Sequence, residues 1–133
     1  MTKEKLPRAL EVCLSFDVKT YDIDFAGIVG NIVYIRWLED IRLAILAAHL
    51  PISEQINRGI GPAIVKTEIH YKRPLTIHDP VEGRMWVEST GKVRYSLAAE
   101  FMTGTTTAAT ARQEGCFFDL KEKCPIALPR ELI

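Results

Sequence analysis

The chain has 133 residues, the usual length of one domain, and we interpret residues 1–133 as a single domain. Its 17 basic and 17 acidic side chains balance, so no overall electrostatic field favours nucleic acid or an anionic membrane as a partner. The three cysteines include no C-x-x-C pair, which argues against a disulfide framework and a zinc site. The first residues also lack the apolar core of a signal peptide. We therefore expect a cytoplasmic protein that holds no metal.

Strict alternation of apolar and polar side chains marks the first element. The apolar positions are Leu10, Val12, Leu14, Phe16 and Val18. A period of two residues is typical of a strand with one buried side. The sequence therefore predicts a strand over residues 10–18.

An acidic, glycine-containing loop follows over residues 21–31 and leads directly into an apolar helical segment. A helix N-terminus presents unpaired backbone N–H groups and a partial positive charge of about half a unit. Such donors can hold a carbonyl oxygen while negative charge develops on it, so Asp24 is a candidate for attack on a carbonyl carbon. Asp is also common as a turn or capping residue before helices, and that structural role is the alternative. We expect the neighbouring Asp22 to be solvated.

The segment from Asn31 to His49 is predicted to be one helix, which Pro51 ends. Its polar positions are few: Arg36, Glu39, Asp40 and Arg42. A helix that is apolar around most of its circumference has to be covered on most sides, so we expect a central helix. Glu39 and Arg42 lie within helical reach of each other, and we expect them to pair.

The rest of the chain is predicted to be mainly strands. Ser53 is the expected cap of a short helical turn that runs to Arg58 and is ended by the segment 59–62. Four strand segments follow, at residues 63–71, 81–90, 93–103 and 106–118. Hairpin-connected strands are antiparallel, so we predict an α+β fold with a four-stranded meander packed on the helix. One sheet cannot cover such a helix on all sides, and a second subunit is expected to complete the cover.

The loop and the helix carry a recognisable pattern, Tyr21-x-x-Asp24-x-x-Gly27-Ile28-Val29-x-Asn31-x-x-Tyr34-x-x-Trp37-x-Glu39-x-x-Arg42. This pattern resembles that of the hotdog-fold acyl-CoA thioesterases, and within them the 4-hydroxybenzoyl-CoA thioesterase-like branch. The segment from Ile69 to Leu75, with His78-Asp79, is similar to the same family's second strand and turn. The resemblance implies a curved antiparallel sheet wrapped around one long central helix. It also implies a homodimer or homotetramer with active sites between two subunits.

The resemblance assigns roles to individual residues. Asp24 falls on the family's catalytic carboxylate position, and Asn31 supplies the backbone N–H that polarises the thioester carbonyl. Asp24 would act either as the nucleophile, through a mixed anhydride, or as the base that deprotonates a water molecule. Gly27, Ile28 and Tyr34 are the expected substrate contacts, and packing in the core is the alternative role for Tyr34. Coenzyme A enters as part of the substrate, and no separate cofactor is implied.

The phosphates of coenzyme A need local cations in a chain with no net charge. Arg73, Lys92 and Arg94 are the candidates by analogy with the family's nucleotide-facing strands. Arginine offers a planar fork that matches phosphate, and lysine acts as a point charge. The alternative is that all three are solvated charges at strand ends.

Two other functions remain open from the sequence. The same architecture hosts hydratases and dehydratases of acyl thioesters, which use a histidine together with a carboxylate. Here no histidine lies in the acidic loop or in the first half of the helix. A non-catalytic acyl-CoA-binding protein is the other alternative. Aromatic, short-chain and long-chain acyl groups, on coenzyme A or on an acyl carrier protein, are all compatible with the sequence.

Overall fold

The computed structural model describes residues 8–133. The strands are β1 (Ala9–Phe16), β2 (Ile60–Tyr71), β3 (Val81–Thr90), β4 (Arg94–Thr103), β5 (Thr106–Asp119) and β6 (Cys124–Ile126). The helices are α1 (Asn31–His49) and α2 (Ile52–Arg58), and single turns of 3-10 helix lie at Thr20–Asp22 and Arg130–Leu132. The predicted α+β class is confirmed, and α1 begins and ends at the predicted residues.

All neighbouring strands are antiparallel, in the order β1-β3-β4-β5-β2, and β6 pairs with the end of β5. The predicted meander is therefore correct for β3, β4 and β5 and wrong for β2, which pairs with β5. The reason lies in the connection over residues 72–80, which is longer than hairpin loops of about two to five residues and contains the fully buried Leu75. β2 consequently forms one edge of the sheet and β1 the other.

The boundaries around α2 differ from the predicted ones. Pro51 occupies the N-cap position in place of Ser53, and α2 ends at Gly59, which has φ +65°. Gly61 and Pro62, expected to break the chain, lie inside β2. Proline is tolerated there because β2 is an edge strand, with a neighbouring strand on one side only. On its other side, a missing backbone N–H breaks no hydrogen bond of the sheet. The short β6 is not predicted by the sequence pattern.

The core lies between α1 and the inner face of the sheet, which is the face that α1 covers. Its fully buried members include Leu38, Ile41, Met85, Phe101 and Phe117. β1 shows the predicted alternation, because every second side chain turns inward. Within residues 8–133, no helix combines the length and hydropathy that crossing a bilayer requires.

Gly83 of β3 determines how closely α1 can approach the sheet. A Cβ at Gly83 would lie 2.8 Å from both Ile41 Cδ1 and Phe16 Cε2, and 3.1 Å from Phe101 Cε1. Contacts this short leave no space for a side chain in a close-packed interior. The helix and the Phe16 ring therefore rest directly on the strand backbone.

One flank of α1 is exposed in the single chain. Ile32, Ile35 and Leu43 are 62%, 48% and 45% exposed, and Glu39 lies in the same stripe. One chain alone therefore leaves part of α1 uncovered, and its cover by a second subunit stays a prediction. We call this stripe the open flank of α1.

Hydrogen bonds between three polar side chains show which part of the sheet the open flank faces. Arg42 Nη1 donates to Gln113 Oε1 at 2.9 Å, and Gln113 Nε2 donates to Thr67 Oγ1 of β2 at 3.1 Å. Because Arg42 bonds to the buried Gln113, the expected pair with Glu39 does not form. Arg42 follows Glu39 by one turn, so the open flank borders the free edge of β2.

Candidate active site

The acidic loop begins with a buried carboxylate. Asp22 is 7% exposed, and its Oδ2 accepts a hydrogen bond from the backbone N–H of Lys19 at 2.8 Å. Its carbonyl oxygen also accepts the N–H of Gly30 at 3.0 Å. The expectation that Asp22 is solvated is therefore wrong. Because its carboxylate satisfies the backbone N–H at the start of the 3-10 turn, its role is structural.

Asp24 closes a tight hydrogen-bonded loop. Its N–H donates to the carbonyl of Ile28 at 2.9 Å, and its carbonyl accepts the N–H of Gly27 at 3.0 Å. Gly27 has φ +79°, in the left-handed region that favours glycine. Oδ1 of Asp24 accepts the N–H of Ala26 at 2.9 Å, whereas Oδ2 has no hydrogen-bond donor within residues 8–133. Asp24 thus acts as a turn residue and keeps one carboxylate oxygen available.

The base of the loop is tied to the rest of the fold. An isolated antiparallel bridge joins its two ends, and Val29 N–H donates to the carbonyl of Leu75 at 2.8 Å. Gly30 is the N-cap of α1 with extended backbone, φ −70° and ψ 152°. The N–H of Asn31, the first in α1, has no partner within the helix. One short closed loop therefore carries both the Asp24 carboxylate and the start of the helix.

The tip of this loop is open to solvent in the single chain. Asp24 and Ala26 are exposed, and Phe25 is fully exposed. Tyr21, before the loop, is 78% exposed. Apolar side chains exposed together are typical of a surface that contacts another molecule.

Two tyrosines, one in the first turn of α1 and one at the end of β2, lie close to the N-terminus of the helix. Tyr34 is 2% exposed, and burial raises the pKa of its hydroxyl to about 12. Its ring meets that of Tyr71 edge to face, with centroids 5.1 Å apart, and Tyr71 Oη lies 3.5 Å from the carbonyl oxygen of Asn31. Tyr34 is a core residue in one chain. Substrate contact by Tyr34, Gly27 and Ile28 stays a prediction.

Arg73 is the predicted cation that lies closest to the loop along the chain. It is exposed directly after β2, and its N–H donates to the carbonyl of Ala108 at 3.0 Å. Leu75, two residues later, is the residue that receives the Val29 N–H. The same connection therefore holds both Arg73 and the base of the loop.

Lys92 and Arg94 lie at the opposite end of the sheet. Arg94 pairs with Cys116 of β5, whereas Tyr71, beside the start of α1, pairs with Ala109. Seven residues of strand span about 24 Å at ~3.4 Å per residue. One chain therefore does not bring Lys92 and Arg94 to the acidic loop.

Sequence reasoning missed the residues that anchor the loop from other elements. Leu75 and Ile77 are the two aliphatic residues of the connection between β2 and β3, and nothing in the sequence distinguishes the one that anchors the loop. Tyr71 shares a face with Thr67 and Ile69 in β2, but nothing local places its hydroxyl at α1. None of the three histidines lies in the acidic loop. Within residues 8–133, no three His, Cys, Asp or Glu side chains are grouped as a metal ion would require.

Similarity to solved structures is extensive. The gentisyl-coenzyme A thioesterase BH1999 is 26% identical, with a TM-score of 0.82 over 90% of this chain and 98% of that chain. The DHNA-CoA thioesterase from Staphylococcus aureus is 20% identical, with a TM-score of 0.82 over 90% of this chain and 82% of that chain. Another Staphylococcus aureus protein, in complex with CoA, is 14% identical, with a TM-score of 0.87 over 98% of this chain and 83% of that chain.

The family assignment follows from the sequence together with this fold. A comparison with curated proteins gives no significant match. Residues 18–133 match the family model described as the thioesterase-like superfamily. This match covers most of the chain. The curved antiparallel sheet packed on one long helix agrees with the fold of the thioesterases just described. The chain therefore belongs to the thioesterase-like superfamily and is a hotdog-fold thioester hydrolase.

Proposed function

We propose that the protein hydrolyses acyl-coenzyme A thioesters, with Asp24 as the catalytic carboxylate and the Asn31 N–H as the donor to the carbonyl oxygen. The closed loop carries this proposal. Its backbone bonds hold Asp24 against Ile28 and fix Gly30 at the helix start. These bonds therefore fix the position of the free carboxylate oxygen of Asp24 relative to the first N–H donor of α1.

Two routes use this arrangement. In the nucleophilic route, Oδ2 of Asp24 attacks the carbonyl carbon, the C–S bond breaks, and coenzyme A leaves as a thiolate that takes a proton from water. Water then hydrolyses the mixed anhydride and regenerates Asp24. In the general-base route, Asp24 removes a proton from the water that attacks the carbon directly. In both routes the carbonyl oxygen becomes negative, and the Asn31 N–H with the helix dipole stabilises it.

The complete site is proposed to form between two subunits. β2 has 12 residues and no partner along its outer edge within residues 8–133, and Val65 at its bulge is 48% exposed. The open flank of α1 borders this edge. A two-fold axis pairs equal edges antiparallel, so the beginning of one β2 lies beside the end of the other. That pairing would bring the end of the sheet that carries Lys92 and Arg94 in one subunit alongside the end that carries the acidic loop in the other.

The relatives guide the choice of substrates. One similar structure is a gentisyl-coenzyme A thioesterase, another a DHNA-CoA thioesterase, and a third holds CoA. We therefore propose aromatic acyl-CoA thioesters as the first substrates to examine, beside short-chain and long-chain ones. A pocket between subunits, cytoplasmic location and assembly to a tetramer belong to the same proposal.

Release of the coenzyme A thiol from a panel of acyl-CoA thioesters tests the activity. Asp24→Asn keeps the shape of the side chain and removes its charge, so we expect kcat to fall by about 100-fold or more. Asp17→Asn is the matched control, because Asp17 lies before the loop with a side chain that is 93% exposed. The mechanism is wrong if Asp24→Asn retains most of the activity.

The same panel decides between the proposed function and its alternatives. A hydratase would consume the conjugated double bond of an enoyl-CoA without releasing thiol. A non-catalytic binder would bind acyl-CoA and leave every thioester intact. Either outcome would replace hydrolysis as the function.

A further inference from the structure

One aromatic side chain stays half-exposed beside the start of α1. Tyr71 is the last residue of β2, and its side chain lies on the inner face of the sheet with those of Thr67 and Ile69. It is 46% exposed, whereas Tyr34, which its ring contacts, is buried. An aromatic ring has two flat faces, each of which favours contact with another ring. The proposed mechanism assigns no role to the Tyr71 ring.

The backbone that follows Tyr71 is firmly held. The next two N–H groups, of Lys72 and Arg73, both donate to the carbonyl of Ala108, at 2.8 Å and 3.0 Å. Leu75, in the same connection, accepts a backbone N–H from the base of the acidic loop at 2.8 Å. The end of β2 is therefore bonded both to the neighbouring strand β5 and to the acidic loop.

Contacts with α1 hold the ring of Tyr71 itself. The rings of Tyr71 and Tyr34 are inclined by 77°, with centroids 5.1 Å apart, and Tyr71 Oη lies 3.5 Å from the carbonyl oxygen of Asn31. In an edge-to-face pair each ring contributes either an edge or one face, so Tyr34 covers at most one of the two faces of Tyr71. Because the side chain is also 46% exposed, ring surface that is already oriented remains open in the single chain.

This ring lies within reach of the acyl group that the proposed mechanism places at α1. The backbone N and O atoms of one residue are joined by three bonds with a total length of about 4.2 Å, so Tyr71 Oη lies less than about 8 Å from the nitrogen of Asn31. The thioester carbonyl oxygen is proposed to accept a hydrogen bond from this nitrogen. Aromatic rings interact at centroid separations of about 4.5–7 Å, which is the same scale of distance. A ring attached to the thioester carbonyl can therefore contact Tyr71.

We propose that Tyr71 is the residue that selects the acyl group, by contact of its open ring surface with a planar aromatic ring on the thioester carbonyl. This inference rests on the proposed function, because the contact forms only when the thioester is held at Asn31. A saturated ring of the same size has no π system and no flat face, so its contact with Tyr71 is weaker. Because Tyr34 already holds the Tyr71 ring, little conformational freedom is lost on binding.

Two substrates that differ only in their ring measure this contact. Benzoyl-CoA and cyclohexanecarbonyl-CoA both carry a six-carbon ring on the thioester carbonyl, planar in the first and puckered in the second. Tyr71→Leu removes the aromatic ring, Tyr71→Phe removes only the hydroxyl, and Tyr71→Val, which suits a strand, replaces the leucine variant if that variant does not fold. Trp86→Leu is the control. Met85 is buried in the core, so Trp86, the next residue of β3, points to the face of the sheet opposite α1.

The quantity to compare is the ratio of kcat/KM for benzoyl-CoA to kcat/KM for cyclohexanecarbonyl-CoA. We expect the wild-type protein and Tyr71→Phe to favour benzoyl-CoA. Tyr71→Leu should lower the ratio about fivefold, which corresponds to about 1 kcal/mol and is typical of one aromatic pair. Trp86→Leu should change the ratio by less than about twofold. Loss of folded or assembled protein cancels in the ratio, so a purely structural role of Tyr71 would leave the ratio unchanged.

The inference is overturned if the wild-type protein hydrolyses both substrates equally well, or if Tyr71→Leu keeps the wild-type ratio; hydrolysis itself would stand in either case. Titration with the matching thioethers, in which a methylene group between sulfur and carbonyl prevents hydrolysis, measures the same preference without catalysis. A preference for the aromatic thioether that Tyr71→Leu abolishes, in a protein that hydrolyses no thioester, would reject the proposed function and retain Tyr71 as the selecting residue.

Discussion

Replacing Gly83 with alanine tests the close approach of α1 to the sheet. The added Cβ would meet Ile41 and Phe16 at 2.8 Å and Phe101 at 3.1 Å, well inside ordinary contact. All three neighbours belong to the packed interior, and Ile41 and Phe101 are fully buried, so relief requires a shift of α1 or of the Phe16 ring. Overpacking of this kind typically costs about 1–3 kcal/mol. Alanine also has less backbone freedom than glycine in the unfolded chain, and this effect alone stabilises the protein by about 0.4–1 kcal/mol.

We therefore expect Gly83→Ala to lower the free energy of unfolding by about 1–2 kcal/mol, which corresponds to a fall in Tm of about 4 °C per kcal/mol. Gly91→Ala is the matched control, because its Cβ would lie 3.5 Å from the Arg94 carbonyl oxygen, an ordinary contact, and its φ is not positive. Urea unfolding and thermal melts at one fixed protein concentration compare the two variants. If Gly83→Ala is as stable as Gly91→Ala, the close packing inferred from the structure is incorrect.

Two further perturbations address assembly and pH. Ile35→Glu places a charge in the open flank of α1, so sedimentation velocity should show dissociation together with loss of thiol release, whereas Ile56→Glu, on exposed α2, should change neither. A dimer that survives Ile35→Glu would exclude this flank from the interface. Hydrogen bonding from Arg58 lowers the pKa of Glu131 below its usual value, so this pair stabilises the fold above the unfolded pKa and loses that effect as pH falls through the lowered one. Arg58→Gln should flatten the pH dependence of Tm across that acidic window, and an unchanged profile would count against the pair.

The sequence was most informative where the determining interactions are local. The alternation in β1 follows from its own side chains, and the bounds of α1 follow from Gly30 before it and Pro51 after it. The placement of Asp24 and Asn31 on one short loop was also predictable, because the two residues lie close together along the chain.

Features that depend on distant pairing were not predictable from the pattern. β2 has the alternation of a hairpin strand, yet it pairs with β5, because the buried Leu75 draws the connecting segment across the fold. A bulge at Val65 interrupts the alternation of β2 and leaves this side chain exposed. Asp22 looked solvated because its partner, the backbone of Lys19, carries no side-chain signal.

The cations show the same limit. Arg73, Lys92 and Arg94 are equivalent in the sequence as basic residues at strand ends. Only the register of β5 with β2 and β4 separates them, since it assigns Tyr71 and Arg94 to opposite ends of the sheet. Their joint use in one site therefore depends on symmetry between subunits, which no local pattern encodes.

The closed acidic loop has a consequence for redesign. Backbone hydrogen bonds join the two ends of this loop, and neither Phe25 nor Ala26, at its tip, takes part in them. Library variation at Phe25 can therefore change the exposed tip of the loop while the backbone bonds between Asp24 and the helix start are preserved. Gly27, in contrast, is a poor target for variation, because its left-handed backbone is needed to close the hydrogen-bonded loop between Asp24 and the start of α1.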